Sequence, residues 1–325
     1  MHMRMFPHII CTILAVSGIV TVGVGAAPPD PADGGAFVTS SGKTLTGEHA
    51  DMFREYTQRL RDYPAFATGE AQPVPPRWYY APADDPGFRE LVARYDLETI
   101  AGQGGECDRA LRVMDWVHRI LTTTGEVTRP PILTAPEIIS YVAAGNTIYC
   151  QPRAIVLAEC LSALGFHARY LSLNPLSFDS DSHSVVAVYA RSLEKWIMLD
   201  PTFNTYFHDQ SGTPLSYSEV REIYRRGNIP AFRPITLDMQ GVLRLRGVEY
   251  FSYDEWYAVY MAKNTFWAFS PLETSYGYHA TDAPKWVALA PDGYEPDETI
   301  VSRYRQHEDQ LTIIRSMEQF FPVPE

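Results

Sequence analysis

The feature that most constrains this chain is a helix-like run followed directly by three strand-like runs. Residues 150–164 set Ala154, Leu157, Ala158, Leu161 and Leu164 on one apolar stripe at helical spacing. Pro152 falls in the first turn, where a missing N–H costs nothing, and Gly165 falls just past the end. Runs at 168–173, 183–190 and 195–200 follow, rich in Val, Ile, Leu and Tyr. Parallel neighbours need a crossover of a dozen or more residues, and the breaks here are shorter. An antiparallel sheet beside a helix, an α+β fold, is therefore expected.

Elsewhere the punctuation is coarser. Residues 27–46 are rich in Pro, Gly, Ser and Thr and read as a linker. Helices are expected at 49–62, 88–95, 108–121, 136–143, 216–226 and 298–320. Residues 250–278 form an aromatic band that includes Tyr250, Phe251, Tyr253, Trp256, Tyr257, Tyr260, Phe266 and Trp267. Such a band fits core packing better than a groove for peptide or glycan.

The N-terminus carries one Arg and no acid over 1–8, then no charge over 9–24. Val24-Gly25-Ala26 is a small-residue cleavage pattern ahead of the polar Ala27-Pro28-Pro29-Asp30. This is the layout of a secretory signal peptide, so the expected location is secreted or periplasmic, with no stable membrane insertion after cleavage. An uncleaved anchor is the competing reading, on an apolar run close to the shortest that spans. With 27 Lys+Arg against 39 Asp+Glu the net charge is -12, which repels a phosphate backbone and excludes nucleic acid as a partner.

Four Cys are too few for a disulfide scaffold, and Cys11 leaves with the signal. Cys107, Cys150 and Cys160 remain, an odd number, so one thiol stays free. Cys150 and Cys160 share a helix but point roughly 80° apart, so they do not pair. Cys107 with Cys160 is the expected bridge if one forms.

Cys150 opens its helix, where unpaired N–H groups and the dipole favour a thiolate, the nucleophilic form. A thiol nucleophile needs a base in reach, and the base needs an orienting group. Folding the 183–190 and 195–200 runs about Arg191-Ser192 sets His183 opposite Asp200, or one diagonal step away on the same face. Opposite side chains stand about 5 Å apart at Cβ, close enough for a carboxylate to hold an imidazole N–H. Alone, each residue has a plainer reading: an inert small thiol, a strand-end histidine, the start of a turn. Their ordered conjunction points to chemistry.

At these residues the chain resembles the transglutaminase-like superfamily, whose catalytic arrangement is shared with papain-like thiol enzymes. The resemblance lies in Tyr149-Cys150-Gln151-Pro152-Arg153-Ala154, in Gly165-Phe166-His167-Ala168-Arg169, in the strand opened by His183, and in Trp196-Ile197-Met198-Leu199-Asp200-Pro201. It is specific from about Asn146 to Thr202. It implies a core with the Cys at a helix N-terminus packed on an antiparallel sheet, and a triad of Cys150, His183 and Asp200. It implies acyl transfer through a Cys thioester on a peptide or protein substrate. Hydrolysis of a peptide-like amide is the first expectation; an amine-accepting crosslinker and a non-catalytic peptide- or glycan-binding module are the alternatives. Gln151 and Ser184-Val185 stand where many members carry aromatic residues, so acyl site and acceptor are not fixed by the resemblance.

The expected layout is then a signal at 1–26, a flexible linker at 27–47, a helical region at 48–135, the transglutaminase-like core at 136–208 and an aromatic-rich extension at 209–325. Besides the Cys150 N–H, Asn146 and Gln151 are side-chain candidates for an oxyanion hole. Arg169 reads as structural, and His167 and His208 as surface residues. Asp179-Ser180-Asp181 begins like a calcium loop but lacks the Gly and distal Glu, and no Cys/His cluster has ligand spacing. Neither metal nor cofactor is expected.

Overall fold

The computed structural model describes residues 36–68, 76–123, 126–177, 181–235, 253–281, 284–298, 301–302 and 310–324. The expected signal, the first part of the expected linker, Asp179, Ser180, Tyr250 and Phe251 lie outside them. In chain order the main helices are α1 (Gly47–Arg61), α2 (Pro86–Tyr95), α3 (Leu97–Ala101), α4 (Glu106–Leu121), α5 (Ala135–Ala143), α6 (Cys150–Ala163), α7 (Tyr217–Arg225) and α8 (Tyr253–Asn264). The strands are β1 (Tyr79–Tyr80), β2 (Ala168–Asn174), β3 (His183–Ala190), β4 (Lys195–Asp200), β5 (Thr205–His208), β6 (Ala231–Phe232), β7 (Trp267–Pro271), β8 (Glu273–Thr274), β9 (Trp286–Leu289) and β10 (Leu311–Ile314).

The three runs after the Cys150 helix are the middle of a larger sheet, in the order β10-β9-β7-β2-β3-β4-β5-β6. Every pair in it is antiparallel except β9 with β10. The fold is α+β, as expected. Both β2 and β3 are buried at every position, so both faces of the sheet are covered. Strand alternation sends Tyr170 and His183 to opposite faces. Tyr170 lines a small cavity with Ile155 and Ala158 of α6, while His183 packs against Tyr260 of α8, with ring centroids 5.2 Å apart.

Helix α6 is buried nearly all round rather than along one stripe, from Pro152 to Ala163. Helices α2, α4 and α5 pack against it from outside, which makes it a core helix. It ends where Gly165 takes φ 82°, and the Phe166 N–H closes onto the Leu161 carbonyl at 3.0 Å. Glycine occupies that left-handed position without a Cβ penalty.

Three expectations need correction. Residues 36–46 are not a free linker: Val38 bridges Thr44, and Phe37 and Leu45 are buried. The expected helix at 298–320 contains strand β10, whose Leu311 pairs with Trp286, and only Met317–Phe320 is helical near its end. The sheet of the expected core at 136–208 continues into the aromatic-rich extension, because β7 pairs directly with β2. The first miss is a local turn closed by the Val38–Thr44 bridge, and the other two come from partners far away in sequence that local pattern does not reveal.

The aromatic band is largely core, with Tyr257, Phe266, Trp267 and Phe269 buried. Arg169 is structural. Its guanidinium carbon lies 3.9 Å from the Trp78 ring centroid and 4.5 Å from that of Trp196, and it donates to the Phe320 carbonyl at 2.7 Å. Two positions of the family-like motifs, Arg169 and Trp196, therefore clamp the C-terminal segment. Among the described residues no helix is long and apolar enough to cross a membrane.

Candidate active site

Cys150 is the first residue of α6, and Tyr149 before it supplies no side-chain cap. The first-turn N–H groups are thus left to whatever acceptor stands there, and a thiolate suits them. The Cys150 side chain is half-buried and a free thiol. His183 opens β3 and Asp200 closes β4. The β3–β4 register sets Ala190 opposite Lys195 and Val186 opposite Leu199. His183 and Asp200 are accordingly one diagonal step apart on the same face. The turn at Arg191–Leu193, followed by Glu194 at φ 52°, takes up the offset.

His183 Nε2 meets Asp200 Oδ2 at 2.6 Å, with both side chains buried. The rest of Asp200 is fully engaged. Its Oδ1 accepts the N–H groups of Thr202 at 2.9 Å and Phe203 at 3.3 Å, and its Oδ2 also accepts the Tyr257 hydroxyl at 2.9 Å. A carboxylate held by so many donors is fixed in place and direction. With Nε2 committed to Asp200, Nδ1 is the ring nitrogen left for Cys150, whose side chain His183 hydrogen-bonds.

Burial alone would push the Cys150 thiol up. The hydrogen bond and charge of His183, with hydrogen bonds from the Ser184 side chain and N–H, bring it net below the usual thiol value. Burial pushes His183 down, but Asp200 and then Cys150 raise it well above the ordinary imidazole range. The two opposed shifts are the directions in which a thiol and an imidazole favour each other's charged forms. The other thiols go the opposite way: burial raises both Cys107 and Cys160, each with acidic neighbours adding to the effect. Both are free, so the expected Cys107–Cys160 bridge is absent. Cys107 sits at the start of α4 within the field of Lys195, whereas Cys160 is enclosed beside Glu159.

The oxyanion-hole candidates fare differently. Asn146 donates its amide to the Tyr141 carbonyl at 2.9 Å, a local turn contact. Gln151 accepts the Tyr149 hydroxyl on Oε1 at 3.0 Å, next to the thiol. Two residues escaped the sequence reading. Ser184 touches the sulfur and is joined to the Tyr170 hydroxyl at 3.0 Å; its polarity beside His183 was the available signal. Tyr257 anchors Asp200 from the far C-terminal side, and nothing in its helical spacing said which residue it would meet. His167 stacks edge-on against Tyr80 and His208 bonds the Asp209 carbonyl, both away from this cluster. Among the described residues no group of His, Cys, Asp and Glu could hold a metal ion.

No protein-family model matches the chain. A search of curated proteins finds no match either. Among solved structures, a proposed cysteine protease from Cytophaga hutchinsonii is similar over 35% of this chain and 37% of its own, at 17% identity and a TM-score of 0.28. LapG of Legionella pneumophila, EGTA-treated, is similar over 47% of this chain and 72% of its own, at 12% identity and a TM-score of 0.27. A proposed protease from Parabacteroides distasonis is similar over 53% of this chain and 31% of its own, at 10% identity and a TM-score of 0.24. This chain thus spans little more than a third of the Cytophaga protein. Overlaps this partial, at TM-scores this low, assign no residue role and no activity here.

Proposed function

We propose that the chain is an exported thiol enzyme that hydrolyses a peptide-like amide through an acyl-Cys150 thioester. The observation that carries the reading is the line Cys150–His183–Asp200, with Nε2 of the ring held at 2.6 Å and Nδ1 left for the sulfur. Cys150 Sγ attacks the substrate carbonyl carbon, and a C–S bond forms as the carbonyl oxygen takes the negative charge. His183 then gives its Nδ1 proton to the leaving nitrogen, the C–N bond breaks and the amine departs. Water enters, His183 takes its proton, hydroxide adds to the thioester carbon, and the C–S bond breaks to return the thiolate. Asp200 keeps the ring in one tautomer and direction throughout. The Cys150 N–H and the Gln151 side chain are the proposed oxyanion donors. Residues 1–26 are proposed to direct export, and the substrate is proposed to be a peptide or protein.

A pH-resolved alkylation experiment tests this. Iodoacetamide should modify Cys150 rapidly near neutral pH while Cys107 and Cys160 react slowly. Incubation with peptide pools should leave an acyl mass on the Cys150 peptide. Reaction of Cys150 no faster than Cys107, with no acyl adduct, would sink the reading.

A further inference from the structure

Arg153 lies three residues after Cys150 on α6, one turn along the same side of the helix. Its side chain is 1% exposed, and neither Nη1 nor Nη2 has a hydrogen-bond partner. A buried guanidinium whose two Nη groups lack hydrogen-bond partners is costly unless opposite charge lies close. The opposite charges that it feels are Cys150 and Asp200. We infer that Arg153 is a positioning residue whose buried charge holds Cys150 as thiolate and balances Asp200 beneath the proposed active site.

The charge balance gives the reason. A thiolate, an imidazolium and a carboxylate leave one net negative charge in a site that is mostly out of water. Arg153 brings the sum to zero without forming a hydrogen bond that would compete with His183 for the sulfur. Other titratable groups stand around this end of α6, among them Tyr149, whose hydroxyl is raised by burial first, with Arg129 opposing and Cys150 adding to the shift. His183 from β3 and Tyr257 from α8 are bonded to Asp200. Tyr170 from β2 acts through Ser184, and His118 from α4 bonds the Pro201 carbonyl at 3.1 Å. Tyr95 of α2 and Glu137 of α5 belong to the other end of the helix, with Cys160 and Glu159.

This rests on the thiolate reading of Cys150, so the experiment separates the two. Alkylation rate against pH is measured for the wild type and for Arg153→Lys, Arg153→Met and His183→Ala. Arg153→Met should move the midpoint up by about one pH unit, near tenfold slower alkylation below it, while Arg153→Lys stays close to the wild type. A folded Arg153→Met with an unchanged profile overturns the inference. His183→Ala covers the case in which Arg153→Met does not fold. With the imidazole gone, adding Arg153→Gln to His183→Ala should raise the Cys150 midpoint by about one more pH unit, and equal midpoints in the two variants overturn the inference. If the wild type itself alkylates only at alkaline pH, the thiolate reading fails, whatever Arg153 does.

Discussion

Residues 150–200 and residues 253–321 build one sheet, yet they differ in how they do so. The first region is local: β3 and β4 are joined by a four-residue turn and pair with each other, and β2 pairs with β3. The second is threaded through the first. Its strand β7 pairs with β2, its Tyr257 reaches Asp200, and its Phe320 carbonyl caps Arg169. The lesson is that the proposed bond-making groups sit in the contiguous stretch, while some of the groups that hold them, Tyr257 above all, come from far along the chain.

The sharpest way to break that division is to remove the bond-making groups. Cys150→Ala and His183→Ala should each cut turnover by about a thousandfold or more, with the melting temperature little changed for Cys150→Ala and lowered, the fold surviving, for His183→Ala. Asp200→Asn should keep a small residue of activity, since an amide can hold the ring but not its protonation pattern. The Cys150→Ala/His183→Ala double variant should be hardly worse than either single one, because the groups act as a unit. Kinetics on a substrate found by adduct screening reads this out. Near-normal turnover in a stable His183→Ala would place the base elsewhere.

The same contrast governs what could be read from sequence. The bounds of β3 and β4 match the expected runs, because β-branched stretches flanked by polar breaks are set locally. Folding about Arg191-Ser192 left His183 either opposite Asp200 or one diagonal step away, and the four-residue turn at 191–194 selects the diagonal. Strand β10 was legible only as part of a helix, since Leu311–Ile314 becomes a strand through Trp286–Leu289 on another segment. Tyr257 shows the limit most plainly. Its place among Tyr253, Trp256 and Tyr260 marks a packed helix face, and the ring is indeed buried. That its hydroxyl ends on Asp200 depends on the docking of α8 against the sheet, for which the sequence carries no local mark.

Glu159 is one place where the two regions touch, and it gives a pH test of intermediate size. Its oxygens accept the Ala135 N–H at 2.8 Å and the Gly277 N–H at 3.1 Å. Burial nevertheless raises its pKa from 4.5 to about 7, against the pull of those two donors. The folded state therefore keeps a proton that the unfolded chain gives up. The stabilisation is complete below about pH 4.5, falls as pH rises, and is lost above about 7, a change of about 3 kcal/mol at most. Glu159→Gln should flatten the fall between pH 4.5 and 7. It carries a constant offset of about 1 kcal/mol, because the amide turns an NH2 toward one backbone N–H. Urea unfolding of both proteins at a series of pH values reads the difference. Parallel profiles would show that the two regions are not coupled through a titrating carboxylate.

The smallest expected effect tests the division itself. Tyr257→Phe removes one hydroxyl and leaves the ring packed between Phe203 at 5.3 Å and Phe207 at 5.6 Å, centroid to centroid. Burial, then the charge of Asp200, holds the Tyr257 hydroxyl well above the ordinary phenol range, so it is a donor at every working pH. Without it Asp200 Oδ2 keeps only His183, and Oδ1 keeps the Thr202 and Phe203 N–H groups. A hydrogen bond to a charged group is worth about 1.5–3 kcal/mol, part of which is recovered as the carboxylate shifts toward its other donors. The expected outcome is a fall in kcat of about tenfold, with KM and alkylation of Cys150 by iodoacetamide at its plateau little altered, since neither sulfur nor substrate touches the phenol. Loss of stability without loss of kcat would make the C-terminal region packing alone. A fall as deep as that of His183→Ala would erase the distinction between the groups that make bonds and those that hold them.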